Sequence, residues 1–267
     1  MLLPLLSIVA YALALLWVAP TLVLVNLENA ATVNKKPNMM LVFGFGLLAT
    51  ILHFSVLYNE LFLIEGQNFT VTNVISLMSF IMAACVTLAL LKWKTVWFPL
   101  IIVYSFAICS VGVAGFVKGS FIRNVQENAG LLFHLGIALF SYALFFLALI
   151  YAFQLKWLDR KLKSKTMFFC QILPPLMTVE RHFFTLTLAA QAMLTLTLFS
   201  GVVYLHNFFE PEHIHKAIFS FLAWLVYSIQ LLGQWKLHWR GKRVLIYSIS
   251  GMMLLTIGYF GSRLIVN

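Results

Sequence analysis

The chain has 267 residues, 62% of them hydrophobic and only 10% charged, with a mean hydropathy of +0.96. A soluble domain carries about 25% charged residues; here the apolar runs reach about 20 residues, enough to cross a hydrocarbon core of roughly 30 Å at about 1.5 Å per residue. The net charge of +10 does not point to nucleic acid, because Lys and Arg fall in short clusters between apolar runs and not on a basic, aromatic-interleaved face.

The runs fall at about 3–25, 39–62, 71–91, 96–117, 130–155, 183–206, 216–235 and 244–265. The first lacks a basic n-region and is too long for an h-region, so it reads as a retained span and not a cleaved signal, with Pro20 expected to bend its inner end. The connectors then alternate in charge. Lys35 and Lys36 follow the first run, Glu60 and Glu65 the second, and Lys92 and Lys94 the third. Lys156, Arg160, Lys161, Lys163 and Lys165 follow the fifth, and Lys236, Arg240, Lys242 and Arg243 the seventh.

Placing these clusters and Arg181 on the cytoplasmic side leaves only Lys118, Arg123, Lys216 and Arg263 of the 18 Lys and Arg residues outside. Trp93, Trp97, Trp157, Trp235 and Trp239 border the basic loops, as an interfacial belt does. The expectation is an all-α polytopic membrane bundle of about eight transmembrane helices, with both termini outside (periplasmic) and one domain over residues 1–267. Its place is a bacterial inner membrane, crossed many times. Leu173-Pro174-Pro175-Leu176 cannot continue a helix, so residues 166–182 read as an interfacial connector.

Cys85, Cys109 and Cys170 have no CxxC spacing, which argues against a disulfide framework or a thiolate metal site. No HExxH, Walker loop, GxSxG or paired intramembrane carboxylate appears, so no enzymatic centre is expected. The seven histidines are the informative set. His182 and His238 lie at the cytoplasmic face, whereas His134, His206, His213 and His215 lie at or near the outer face. His53 sits within the second run, nearer its outer end. An imidazole inside a span marks a functional site or, equally, a hydrogen bond to Ser or Thr on a neighbouring helix.

His134 and His215 open their helices, where the partial positive charge keeps a ring neutral and its lone pair available. His206 closes a helix and is biased towards protonation. The ordinary reading of each is an interfacial residue facing water and headgroups. His213 and His215, two residues apart, do not share a helical face, and nothing nearby supplies further zinc ligands. Haem fits the set better, being flat, largely apolar and satisfied by two axial imidazoles from different helices. His53 and His134 are the candidate axial ligands, with Tyr58, Phe62, Phe133 and Phe140 near them in sequence. Arg123 and Lys216 are candidates to meet the propionates.

The run Leu131-Leu-Phe-His134-Leu-Gly-Ile-Ala-Leu-Phe-Ser-Tyr142-Ala resembles the histidine-plus-"SYA" segment of cytochrome c assembly (CcsA-type) membrane proteins. With Leu173-Pro-Pro-Leu-Met-Thr-Val-Glu180-Arg181, His238-Trp-Arg-Gly-Lys-Arg243 and Gly258-Tyr-Phe-Gly-Ser-Arg263, the chain resembles the YpjD/HemX-type inner membrane branch of that family. The resemblance implies an eight-span, haem-handling, non-enzymatic protein with partners in haem or cytochrome c maturation pathways. It places His53 at the family's transmembrane histidine and His134 at its first outer-facing one.

The chain departs from the pattern in three places. The outer loops hold no Trp, Leu232 stands where a late seventh-span histidine is expected, and Phe260-Gly-Ser-Arg263 stands where another outer histidine is expected. Two of the four ligands that the resemblance implies are therefore absent, and His206 and His215 are the candidate replacements. Two rival readings remain: a permease-type subunit for a small solute or cation, and a membrane regulator of haem biosynthesis acting through the basic loops.

Overall fold

In lipid, every backbone amide needs a partner within its own segment, so each apolar run closes into a helix. The computed structural model describes residues 2–26, 38–63, 66–93, 96–117, 119, 121–123, 128–163, 175–204 and 211–265, without the side chains of 19–26, 62–63, 123, 211–213 and 262–265. The elements are α1 (Leu2–Asn26), α2 (Met39–Leu61), β1 (Phe62–Leu63), β2 (Gly66–Asn68), α3 (Val71–Ala89), α4 (Trp97–Phe116), β3 (Ile122–Arg123), α5 (Ala129–Lys163), α6 (Leu176–Tyr204), α7 (Pro211–Leu237) and α8 (Lys242–Ile265). Among the described residues seven helices, α2 to α8, are long and apolar enough to cross a membrane, and α1 is apolar over its described Leu2–Val18. The chain is an all-α polytopic bundle, and α1 runs through Pro20 as helix.

Three boundaries differ from the sequence reading, the simplest being α7, which starts at Pro211 and not near 216. Residues 176–182, expected in a connector, form the first two turns of α6, because Pro175 stands just ahead of the helix, where its missing N–H costs nothing. Residues 166–174, including Cys170, lie outside the described residues. The fifth helix continues past residue 155 to Lys163. Arg160, Lys161 and Lys163 complement the negative end of its dipole, and Lys163 bonds Asp159 one turn back at 3.0 Å.

The chain forms two compact units, the first holding α1–α4 with the strands and the second α5–α8. In the first, α1 packs on α2 and α4, and α3 on α2 and α4. Tyr11, Ala14, Ala49, Met82, Ala83, Leu100, Val103 and Tyr104 are buried there. The Thr87 hydroxyl donates to the Ala83 carbonyl (2.6 Å), so Tyr104 donates to Thr87 Oγ1 (2.8 Å). This tyrosine reaches across α2 only because residue 46 is glycine: a Cβ there would collide with the phenolic oxygen. Gly46→Ala is expected to destabilise the protein by about 2 kcal/mol. Tyr104→Phe in the same chain should recover part of that loss, read as a coupling in a double-mutant cycle of thermal stability.

The α2–α3 and α4–α5 connectors, read from sequence as loops, contribute a small antiparallel sheet of order β1-β2-β3. Phe62 pairs with Gln67, and Asn68 with Ile122. Asn68 staples it, its Nδ2 donating to the Gly119 carbonyl and its Oδ1 accepting from the Phe121 amide, both at 2.9 Å. Asn73 Nδ2 donates to the Asn68 and Glu60 carbonyls at 3.0 and 3.3 Å, tying the sheet to the ends of α2 and α3.

In the second unit α5 packs on α6 and α8, and α7 on α6 and α8. Lipid gives little hydrophobic drive to helix association, so close packing and interhelical hydrogen bonds carry more of it. Phe145 and Tyr227 stack at 3.7 Å. Tyr227 donates to the Ser248 carbonyl at 3.3 Å, and Gln230 Nε2 to Ser248 Oγ at 3.1 Å. Ser141 donates to the Ala190 carbonyl at 3.0 Å, and Gln191 Nε2 to the Trp224 carbonyl and Ser228 Oγ at 3.1 and 2.8 Å.

Candidate functional site

His53 lies in the first unit, eight residues before the end of α2, and is fully buried at 0% exposure. Nε2 lies 3.0 Å from Ser76 Oγ on α3, and Nδ1 lies 3.3 Å from the Tyr11 hydroxyl on α1. The rings of Phe80 and Tyr11 meet it edge-on at 5.6 and 6.0 Å. Both ring nitrogens are engaged within the core that α1, α2 and α3 share. Iron ligation by His53 therefore requires that core to open and one of the two bonds to be given up.

His134 lies in the second unit, five residues into α5, and is half-buried. Nδ1 lies 2.9 Å from Ser200 Oγ near the end of α6. The Ser200 hydroxyl itself donates to the Thr197 carbonyl at 3.0 Å, so its oxygen accepts from the ring. In the tautomer this pairing favours, Nδ1 carries the proton and Nε2 keeps its lone pair, and among the described residues no side chain bonds Nε2. Metal-bound histidines are commonly held in this way, by a bond at the other nitrogen that fixes tautomer and ring plane. As a single axial ligand His134 fits haem iron, whereas His53 in its packed state does not.

The remaining candidates are more dispersed. His215 is exposed on α7, as is Lys216 beside it. Arg123 lies in β3 with its backbone opposite Gln67, its side chain being outside the described set. His206 also lies outside the described residues. Tyr58 and Phe133 are exposed, at 58% and 53%. Leu232 is 55% exposed on α7, and Phe260 packs on Tyr142 with ring centres 6.5 Å apart. Among the described residues no group of three or more His, Cys, Asp or Glu side chains is placed to hold a bare metal ion. A porphyrin iron needs fewer protein ligands, because the macrocycle supplies four.

Sequence reasoning did not find Ser200, Ser76 or Tyr11. Each is a hydroxyl in an apolar run, and only a tertiary pairing gives it meaning. The polar letters were visible, but their partners lie 66, 23 and 42 residues away.

Apolar helices joined by interhelical polar bonds define a multi-pass membrane protein, and in its second unit the His134 imidazole is held at one nitrogen. The profile of the Cytochrome C assembly protein family matches residues 41–267, and the chain belongs to that family. It is 41% identical over 201 residues to the inner membrane protein YpjD of Escherichia coli K12, covering 75% of this chain and 76% of that protein. The YpjD proteins of Escherichia coli O6:H1 (CFT073) and O157:H7 match to the same extent. No solved structure matches the chain. The protein is thus a multi-pass inner-membrane protein of the cytochrome c assembly family.

Proposed function

We propose that this protein binds and handles haem at the outer side of the inner membrane, without catalysing a reaction of its own, and that His134 is an axial ligand. The observation that carries the reading is the His134–Ser200 pair, with Nδ1 tethered at 2.9 Å and Nε2 unengaged. Membership of the cytochrome c assembly family supports it. Bound haem would supply an iron whose axial positions accept imidazole. Ser200 fixes the tautomer and ring plane of His134, and the short α5 segment before His134 sets its depth below the membrane surface.

His215, exposed on α7, and His206 are candidates for the second axial position. His53 joins them only if the α1–α2–α3 core opens. Arg123 and Lys216 are candidates for the propionates. Placing the basic α5–α6 and α7–α8 connectors in the cytoplasm puts both termini, and the His134 end of α5, on the periplasmic side. Haem-pathway or cytochrome c maturation proteins are the partners this reading implies.

The test is an absorption spectrum of full-length protein purified from haem-supplemented membranes. A Soret band of one haem per chain is expected, and colourless protein under haem-replete conditions overturns the reading. Ser200→Ala removes the acceptor for Nδ1–H. It is expected to keep the band but weaken haem binding by roughly 10–100-fold, as loss of a ligand's supporting hydrogen bond does, measured by haem titration.

A further inference from the structure

Three elements of the second unit meet at the membrane face where α5 ends and α6 begins. Arg240, in the α7–α8 turn, bonds Glu180 of α6 at 2.9 Å. The same turn passes near the Asp159 carboxylate of α5, which a side chain at residue 241 would meet. Asp159 is in turn bonded by Lys163 at 3.0 Å. The two acids at this face are thus both committed, one to each cation.

Five further cations there are exposed: Arg160 on α5, Arg181 on α6, Lys236 at the end of α7, and Lys242 and Arg243 at the start of α8. Among the described residues no carboxylate pairs with these five. Two of them are set on indoles instead. Lys236 Nζ lies 4.6 Å from the Trp235 ring centre, and the Arg243 guanidinium 5.9 Å from that of Trp239. Trp239 is itself fixed: its amide donates to the Gly233 carbonyl at 3.1 Å, and its ring rests on Gly233, where any Cβ would collide with it. His238 enters the turn in the left-handed region at φ +52°, which ends α7 and swings Trp239 back over it.

This is more than a run of solvated charge. The turn is tied to α6 by the Arg240–Glu180 ion pair beside the Asp159–Lys163 pair of α5, and the indoles and unneutralised cations gather at the ends of these helices. Phosphate is the anion that membrane surface presents, and basic pockets between helix ends recognise it. We infer that this face is a binding site for anionic phospholipid headgroups, with Lys242 and Arg243 on the α8 side and Arg160 and Arg181 on the α5–α6 side. The site is independent of the haem reading.

The experiment uses full-length protein in phosphatidylcholine vesicles, with spin-labelled phosphatidylglycerol or phosphatidylcholine as probe. The motionally restricted lipid component is read by electron paramagnetic resonance. Phosphatidylglycerol is expected to associate roughly fivefold more strongly than phosphatidylcholine, the preference about one cation per headgroup gives. That preference should fall towards unity in Lys242→Gln/Arg243→Gln. Should this double variant fail to fold, Arg160→Gln/Arg181→Gln carries the same test from the other side of the site. Equal association of the two lipids overturns the inference, as does a preference unchanged in a folded double variant. Loss of the preference on adding inorganic phosphate at constant ionic strength assigns the site to free phosphate and overturns the lipid assignment.

Discussion

His134→Ala is expected to abolish the Soret band of haem-supplemented protein, or to weaken haem binding by on the order of a hundredfold or more, beyond the effect of removing the supporting bond alone. Deleting the ring removes both the Nε2 lone pair and the Nδ1–H donor to Ser200. The substitution is mild for the fold. The ring is half-buried near a helix end, and Ser200 keeps its bond to the Thr197 carbonyl, so the stability loss should be about 1 kcal/mol. Haem titrations of wild type, His134→Ala, Ser200→Ala and His215→Ala rank the contributions directly. An unchanged spectrum in His134→Ala sinks its assignment as ligand.

The helices were legible because lipid enforces them. Runs of about 20 apolar residues have only one way to satisfy their backbone, and five of the eight runs agree to within two residues at each end with the helices observed, α7 starting five residues earlier than expected. The exceptions are physical. Charged residues Lys156–Lys163 hide the continuation of α5 from any hydropathy reading, although Asp159 and Lys163 at i, i+4 support it. Pro174-Pro175 looked like a break spread over the whole segment, whereas a proline just ahead of the first turn is a helix start. The sheet was illegible because its strands are two or three residues long. It is held by the Asn68 side chain and not by an alternating pattern. The histidines could be sorted by depth from the charge map. Their engagement could not, since a buried ring bonded to Tyr11 and Ser76 and a half-free ring bonded to Ser200 look alike as single letters in apolar runs.

His53 and His134 therefore respond in opposite ways to the same substitution. In His53→Ala, Tyr11 and Ser76 lose their partners inside a buried core, and the ring's volume becomes a cavity among Tyr11, Ser76 and Phe80. Unpaired buried hydroxyls cost about 1–3 kcal/mol each, and the cavity adds to that. Some of this is recovered where Ser76 turns back to its own helix, which leaves a net loss of about 3 kcal/mol. The thermal midpoint of haem-free protein in detergent should fall by several degrees. His53→Gln, which can still reach one of the two hydroxyls, should fall less. Crossing the two assays separates the roles: His134→Ala should lose haem at nearly wild-type stability, and His53→Ala should lose stability whether or not haem is present. A His53→Ala protein that is as stable as wild type without haem, yet colourless with it, would instead make His53 a ligand reached through opening of the α1–α2–α3 core.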